Sequence, residues 1–214
     1  MSYLTFRQKF QNLPYISTAD IIKEEANSQV MRNQLRRWET KGLIIKLRKG
    51  IYVFNDNDYK GSSTGFDLKY FAGQIYGPSY VSMEYALSFY GFIPEGVEFI
   101  TSITTQKTTR FKNGLGHFMY QHIKPQAFRG FQKIGDEKLP IFMAEPEKAV
   151  VDFLYLNLSK FGKNTKDVLE HSYRFQNMEE INEEKLRYFG ELFHTKKLMV
   201  VIEQVCQMVK EEKL

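Results

Sequence analysis

Along the first 55 positions, apolar residues recur three times at helical spacing and then twice at strand spacing. Leu4, Phe6 and Phe10 predict a first amphipathic helix over Tyr3–Asn12. Pro14 ends it, because the residue before a proline is pushed out of the helical region. Ser17 or Thr18 is placed to cap a second helix over Ala19–Glu25. The Ala26-Asn27-Ser28 stretch supplies a turn, and Asn27 or Ser28 caps a third helix. In that third helix Met31, Leu35 and Trp38 stand at i, i+4 and i+7, which predicts a buried stripe with the tryptophan in the core. Gln29, Arg32, Asn33 and Arg36 fall on the opposite face, with Arg37 beside them. Lys41-Gly42 closes the helix. Leu43–Leu47 and Ile51–Phe54 then read as the strands of a hairpin whose tip is Arg48-Lys49-Gly50.

Three helices followed by a basic-tipped hairpin predict a winged helix-turn-helix. Arginine and amide side chains bond bidentately to guanine and adenine edges in the major groove of duplex DNA. Gln29, Arg32, Asn33, Arg36 and Arg37 are therefore the candidate base-reading and positioning residues, with Arg48 and Lys49 against the phosphate backbone.

Asn55–Asp58 and Gly61–Gly65 are polar and turn-rich, and predict a junction between a domain over 1–60 and a larger one over 61–214. Beyond it the pattern gives a helix over Phe66–Ile75 and a second opened by Ser82 as cap. β-branched residues over Val97–Thr105 predict strand, and Thr108–Phe111 continues extended. Asn113-Gly114 marks a hairpin, and further strands follow at His117–Ile123 and Leu139–Met143. Glu145-Pro146-Glu147 opens another helix, and the last covers roughly Lys197–Lys210. The fold class expected is α+β, a winged helix-turn-helix followed by a larger mixed α/β domain with C-terminal helices.

Charge sharpens the division. Up to Phe54 the chain holds ten basic and four acidic residues, so the first quarter carries a net +6 while the whole of 214 residues carries +5. That is the footprint of a nucleic-acid module joined to a near-neutral partner domain. No apolar run is long enough for a membrane helix, and MSYLTFRQKF lacks the apolar core of a signal peptide. A single cysteine, Cys206, leaves no internal disulfide, sits in an apolar helical stripe and is expected to be inert. The expected setting is cytoplasmic.

No phosphate loop, nucleophile motif or metal pair stands out, so no enzyme, cofactor or metal is expected. His117 and His122, five apart on one strand, point to opposite faces. Asp136-Glu137-Lys138 is too local a cluster for a metal-dependent nuclease. Thr104–Arg110 concentrates hydroxyl and basic groups, and Lys107, Arg110 and Lys112 form a candidate surface for phosphate or an acidic partner. The bland alternative is a strand edge kept soluble by such residues.

Several blocks together resemble the AbiEi-type antitoxins of bacterial abortive-infection (type IV toxin–antitoxin) systems. They are Leu35-Arg-Arg-Trp-Glu-Thr-Lys-Gly-Leu43 leading into Arg48-Lys-Gly-Ile-Tyr52, and Tyr80-Val-Ser-Met-Glu-Tyr-Ala-Leu-Ser-Phe-Tyr-Gly91 with Ile93-Pro94-Glu95. Ile100-Thr-Ser-Ile-Thr-Thr105 with Arg110-Phe111, Tyr120-Gln-His-Ile123, and Ala144-Glu-Pro-Glu-Lys-Ala149 with Asp152 complete them. The resemblance implies a DNA-binding autorepressor of its own promoter, with Arg32, Asn33, Arg36, Arg48 and Lys49 on the operator. It also implies a second domain, working through Lys107, Arg110 and Lys112, that counteracts a nucleotidyltransferase-type toxin without a durable complex. A monomer or weak dimer is expected. The alternative is a stand-alone winged-helix regulator whose second domain binds a ligand or mediates dimerisation.

Overall fold

A computed structural model describes residues 1–24, 28–55, 68–135, 137, 139–162 and 164–213. The expected Ala26-Asn27 turn, the junction from residue 56 to 65, and Asp136 and Lys138 lie outside the described residues. The protein is α+β and divides into two compact units, residues 1–68 with 111–117 and residues 69–110 with 118–214.

In the first unit α1 (Tyr3–Phe10), β1 (Ile16–Ser17), α2 (Thr18–Glu24), α3 (Ser28–Thr40), β2 (Ile44–Arg48) and β3 (Ile51–Phe54) follow one another. Phe6 and Phe10, one helical turn apart, pack with Met31, Leu35, Trp38, Ile44 and Phe54 into one core. The Phe6 ring lies 4.7 Å from Trp38 and 5.8 Å from Phe54, centroid to centroid. Leu4, expected in the core, is 71 % exposed. It stands two residues from Phe6, about 200° round the helix, so both cannot face inward.

Ser17 caps α2 reciprocally. Its Oγ accepts from Asp20 N (3.1 Å), and its own N donates to Asp20 Oδ2 (2.9 Å). The sheet order is β1-β3-β2, all antiparallel, with β1 a strand too short for the sequence pattern to reveal. A bulge between Lys46 and Arg48 shifts the β2–β3 register, and the turn itself is only Lys49-Gly50. The carbonyl oxygen of Gly50 (φ +86°) accepts from Thr18 N (2.9 Å), which ties the hairpin tip to the start of α2.

The second sheet is six-stranded, of order β6-β7-β5-β4-β9-β8, and residues 111–117 of the β6–β7 stretch group with the first unit. Its strands are β4 (Ser79–Val81), β5 (Ile100–Thr104), β6 (Thr109–Asn113), β7 (Gly116–His122), β8 (Phe131–Ile134) and β9 (Ile141–Ala144). β4 pairs antiparallel with β5 and parallel with β9, so it is central although only three residues long. The helices are α4 (Leu68–Ile75), α5 (Met83–Phe89), α6 (Pro146–Leu156), α7 (Thr165–Asp167), α8 (Glu183–Glu191) and α9 (Lys196–Glu212). Among the described residues no helix is long and apolar enough to cross a membrane.

Ser82 stands at the N-cap of α5 as expected, but its hydroxyl does not cap the helix. It donates to Asp152 Oδ2 (2.9 Å), as does Tyr80 Oη (2.9 Å). The free α5 amide of Tyr85 is taken instead by Thr101 Oγ1 (3.0 Å). Lys148, one turn before Asp152 on α6, makes a buried ion pair with it and lies 4.7 Å from the centroid of the Phe193 ring. Burial pushes the Asp152 carboxyl above its ordinary range and the Lys148 ammonium below its own, while each charge pulls the other back towards ionisation. Asp152→Ala strands three donors at once, one of them a cation. It should cost about 3–5 kcal/mol of stability, measured by urea unfolding of the full chain. A loss under about 1 kcal/mol would show that the cluster does not hold α6 to the sheet.

Candidate nucleic-acid interface

The third helix presents its polar face as the sequence pattern requires. Met31, Leu35 and Trp38 are buried, and Gln29, Arg32, Asn33, Arg36 and Arg37 are all exposed. Gln29 Nε2 donates weakly to Asn33 Oδ1 (3.4 Å), one turn on.

Arg32 and Arg36, also one turn apart, line a groove of about 980 Å³ between α3 and the β2–β3 hairpin. Lys46, Lys49 and Tyr52 line its other side, and Glu39 is its one acidic residue among those described. Lys46 and Tyr52 are cross-strand partners, so the two-residue periodicity of the hairpin carries both to one face. Burial, then the Glu39 carboxylate, raises the Tyr52 phenol above its ordinary value, with Arg32 opposing, so it stays a neutral hydroxyl able to donate. A smaller depression beside the groove is lined by Asn33, Arg36, Arg37, Thr40 and Lys41, which makes Arg36 common to both.

Arg48 does not line this groove. It is half-buried, and its Nε is enclosed without a hydrogen-bond partner. The bulge separates it from Lys46 in register, and Arg48 lines instead, with Lys46 and Lys49, a second depression beside β2. Lys46 and Tyr52 are the members of the groove that reading the sequence passed over. Their signal was present as a polar position and a half-buried aromatic in strands of known phase, but their approach to α3 depends on the sheet packing.

Lys107 is exposed in the β5–β6 connection, its carbonyl oxygen accepting from Tyr76 Oη (3.2 Å). Arg110 and Lys112 are exposed on alternate residues of β6, which lies at the edge of the sheet. Lys112 groups with the first unit and the other two with the second. His122 is engaged through Nδ1 with Gln106 O (2.9 Å), and no cluster of three metal-binding side chains occurs among the described residues. No family model and no curated protein matches the chain.

Cys206 is buried on α9, and burial pushes its thiol up to about 11. At pH 8 the thiolate is therefore scarce as well as shielded. Labelling by a disulfide reagent should run at least about a hundredfold slower in the native chain than in the urea-unfolded one, followed by absorbance of the released thiolate. Equal rates would contradict the enclosed position.

Proposed function

We propose that the first unit is a winged helix-turn-helix that binds duplex DNA, and that the chain is an autorepressor with an antitoxin role in a bacterial toxin–antitoxin system. The observation that carries the DNA-binding reading is the convergence of Arg32, Arg36, Lys46 and Lys49 on one groove, beside the amides of Gln29 and Asn33 on the same helix. A helix about 10–12 Å across fits a major groove about 12 Å wide, and the 13 residues of α3 give about 20 Å of length to lay in it. In that pose the arginines and amides of α3 meet base edges, while Lys46 and Lys49 meet phosphates on the flanking strand. Tyr52, held neutral, donates a further hydrogen bond to a phosphate oxygen.

The antitoxin half rests on the sequence resemblance, whose blocks centred on Tyr80–Gly91 and Ala144–Asp152 contain the residues that build the buried Asp152 cluster. Exposed Lys107, Arg110 and Lys112 are the side chains through which neutralisation is proposed. These two halves are separable by experiment.

Binding to DNA from the gene's own promoter should weaken about a thousandfold over a fourfold rise in salt if roughly six phosphates are contacted. Arg36→Ala should cost about 1–3 kcal/mol and blur sequence preference, whereas Lys46→Ala or Lys49→Ala should weaken all sequences alike and lower the salt slope by about one. Fluorescence anisotropy with promoter and scrambled duplexes reads both effects. Unchanged binding in all three variants would rule out the groove as the interface.

For the antitoxin role, the adjacent gene is expressed inducibly with the full chain carrying Arg32→Ala and Arg36→Ala. Restored growth is the expected result. A harmless neighbour, or arrest that the chain does not relieve, would leave a stand-alone DNA-binding regulator.

A further inference from the structure

β2 is an edge strand of the β1-β3-β2 sheet, and the turn between β6 and β7, from far along the chain, is fastened to it. Asn113 Nδ2 donates to the carbonyl oxygen of Leu47 (3.1 Å), the residue at the bulge between the pairs Lys46–Tyr52 and Arg48–Ile51. Asn113 Oδ1 accepts from Leu115 N (2.9 Å), so one amide both shapes the turn and ties it to β2. Gly114 completes the fastening. A Cβ there would lie 3.1 Å from Ile45 Cγ2, so the lack of a side chain lets the turn come this close.

Lys112 immediately precedes this anchored pair and is thereby held beside the hairpin. With Lys46, Arg48 and Lys49 it lines a depression of about 550 Å³. Glu39 is the one acidic residue of that lining among those described. Four cations against one carboxylate leave the depression strongly positive, and gathering like charges is unfavourable unless an anion comes among them. The three lysines are exposed and can reach a ligand that arrives from solvent.

The position of the depression states which anion that is. Lys46, Lys49 and Glu39 also line the groove beside α3, so the two spaces are continuous. A strand of DNA whose phosphates meet Lys46 and Lys49 runs past Lys112 as well. Lysine engages phosphate as a point charge on a flexible stem, without the fixed geometry that an arginine fork demands. Resting on the DNA-binding reading, we propose that this depression seats a backbone phosphate of the duplex whose bases α3 reads. Lys112 then positions DNA, and does not belong with Lys107 and Arg110 to a surface for the toxin.

The test measures duplex binding by the full chain carrying Lys112→Ala, by fluorescence anisotropy on promoter and scrambled duplexes across a salt series. Losing one phosphate contact removes about 0.9 from the salt slope, which amounts to about eightfold in affinity between 1 M and 0.1 M salt. Both duplexes should therefore bind about eightfold more weakly at 0.1 M, with the ratio between them unchanged. Lys112→Arg keeps the charge and should restore affinity and slope. Lys197→Ala removes an exposed lysine from α9 and should change neither; equal weakening by Lys112→Ala and Lys197→Ala would reduce Lys112 to a share of the net charge and overturn the seat. Single methylphosphonate substitutions along the promoter duplex locate the contact: one of them should weaken the wild type and leave Lys112→Ala no weaker than it already is. If the wild type binds and Arg36→Ala weakens it while Lys112→Ala matches the wild type, the phosphate seat is overturned and the DNA-binding reading stands. No duplex binding by the wild type overturns both. Suppose instead that inorganic phosphate, at constant ionic strength, raises the melting temperature of the wild type but not of Lys112→Ala, with duplex affinity equal in the two. The depression then takes a free anion, and the DNA contact is overturned.

Discussion

Moving a carboxylate out of water costs several kcal/mol, and the second unit accepts that cost at Asp152, which is fully buried on α6. The cost is offset by one cation and two hydroxyls that converge on it from different elements. Lys148 comes from the same helix, Tyr80 from β4 and Ser82 from the entry to α5. The cluster therefore specifies where α6 sits over the central strand, since any other register leaves donors and a charge unpaired. Its effects spread. With the Ser82 hydroxyl committed, Thr101 on β5 must serve the α5 terminus, accepting from Tyr85 N while donating to Ser82 O (2.5 Å). The same anchoring holds Tyr80 in place for its stacking on Phe131.

Long periodic segments were legible in the sequence, and the short paired ones were not. The α3 stripe, the two hairpin strands, α6 opened by Pro146 and the last helix α9 lie where apolar spacing placed them, to within a few residues. β1 and β4 have two and three residues, too few to establish an alternation. β4 follows Gly77-Pro78, which reads as a break, and acquires its identity only by lying between β5 and β9. Ser82 illustrates a different limit: cap propensity located the helix start, while a partner 70 residues away decided what the hydroxyl does. Lys148 is harder still, because a lysine one turn from an aspartate reads as a solvated pair until tertiary packing encloses both.

The candidate DNA-binding face was legible in its helical part for the same reason. Helical phase alone turns Arg32 and Arg36 away from Leu35 and Trp38, so no tertiary knowledge was needed. The hairpin part required the three-dimensional structure, since a one-residue bulge decides which cations face α3. Lys46 and Lys49 do, and Arg48 does not.

The shortness of that hairpin bears on how such a module divides its labour. Gly50 is in a left-handed conformation, and a Cβ on it would lie 2.9 Å from Thr18 Oγ1, so the turn is pressed against the first residue of α2. The Thr18–Gly50 bond holds the tip beside the start of α2, and Lys49 lines the groove with Arg32 and Arg36. In the proposed complex with DNA, base discrimination would fall to α3, whose arginines and amides are side chains able to bond bidentately to base edges. The hairpin would instead set how deeply and at what angle α3 enters the major groove, because phosphate contacts made by Lys46 and Lys49 would lie a fixed distance from the helix. On that proposal, the fastening at Gly50 turns a generic electrostatic contact into a positional constraint on recognition.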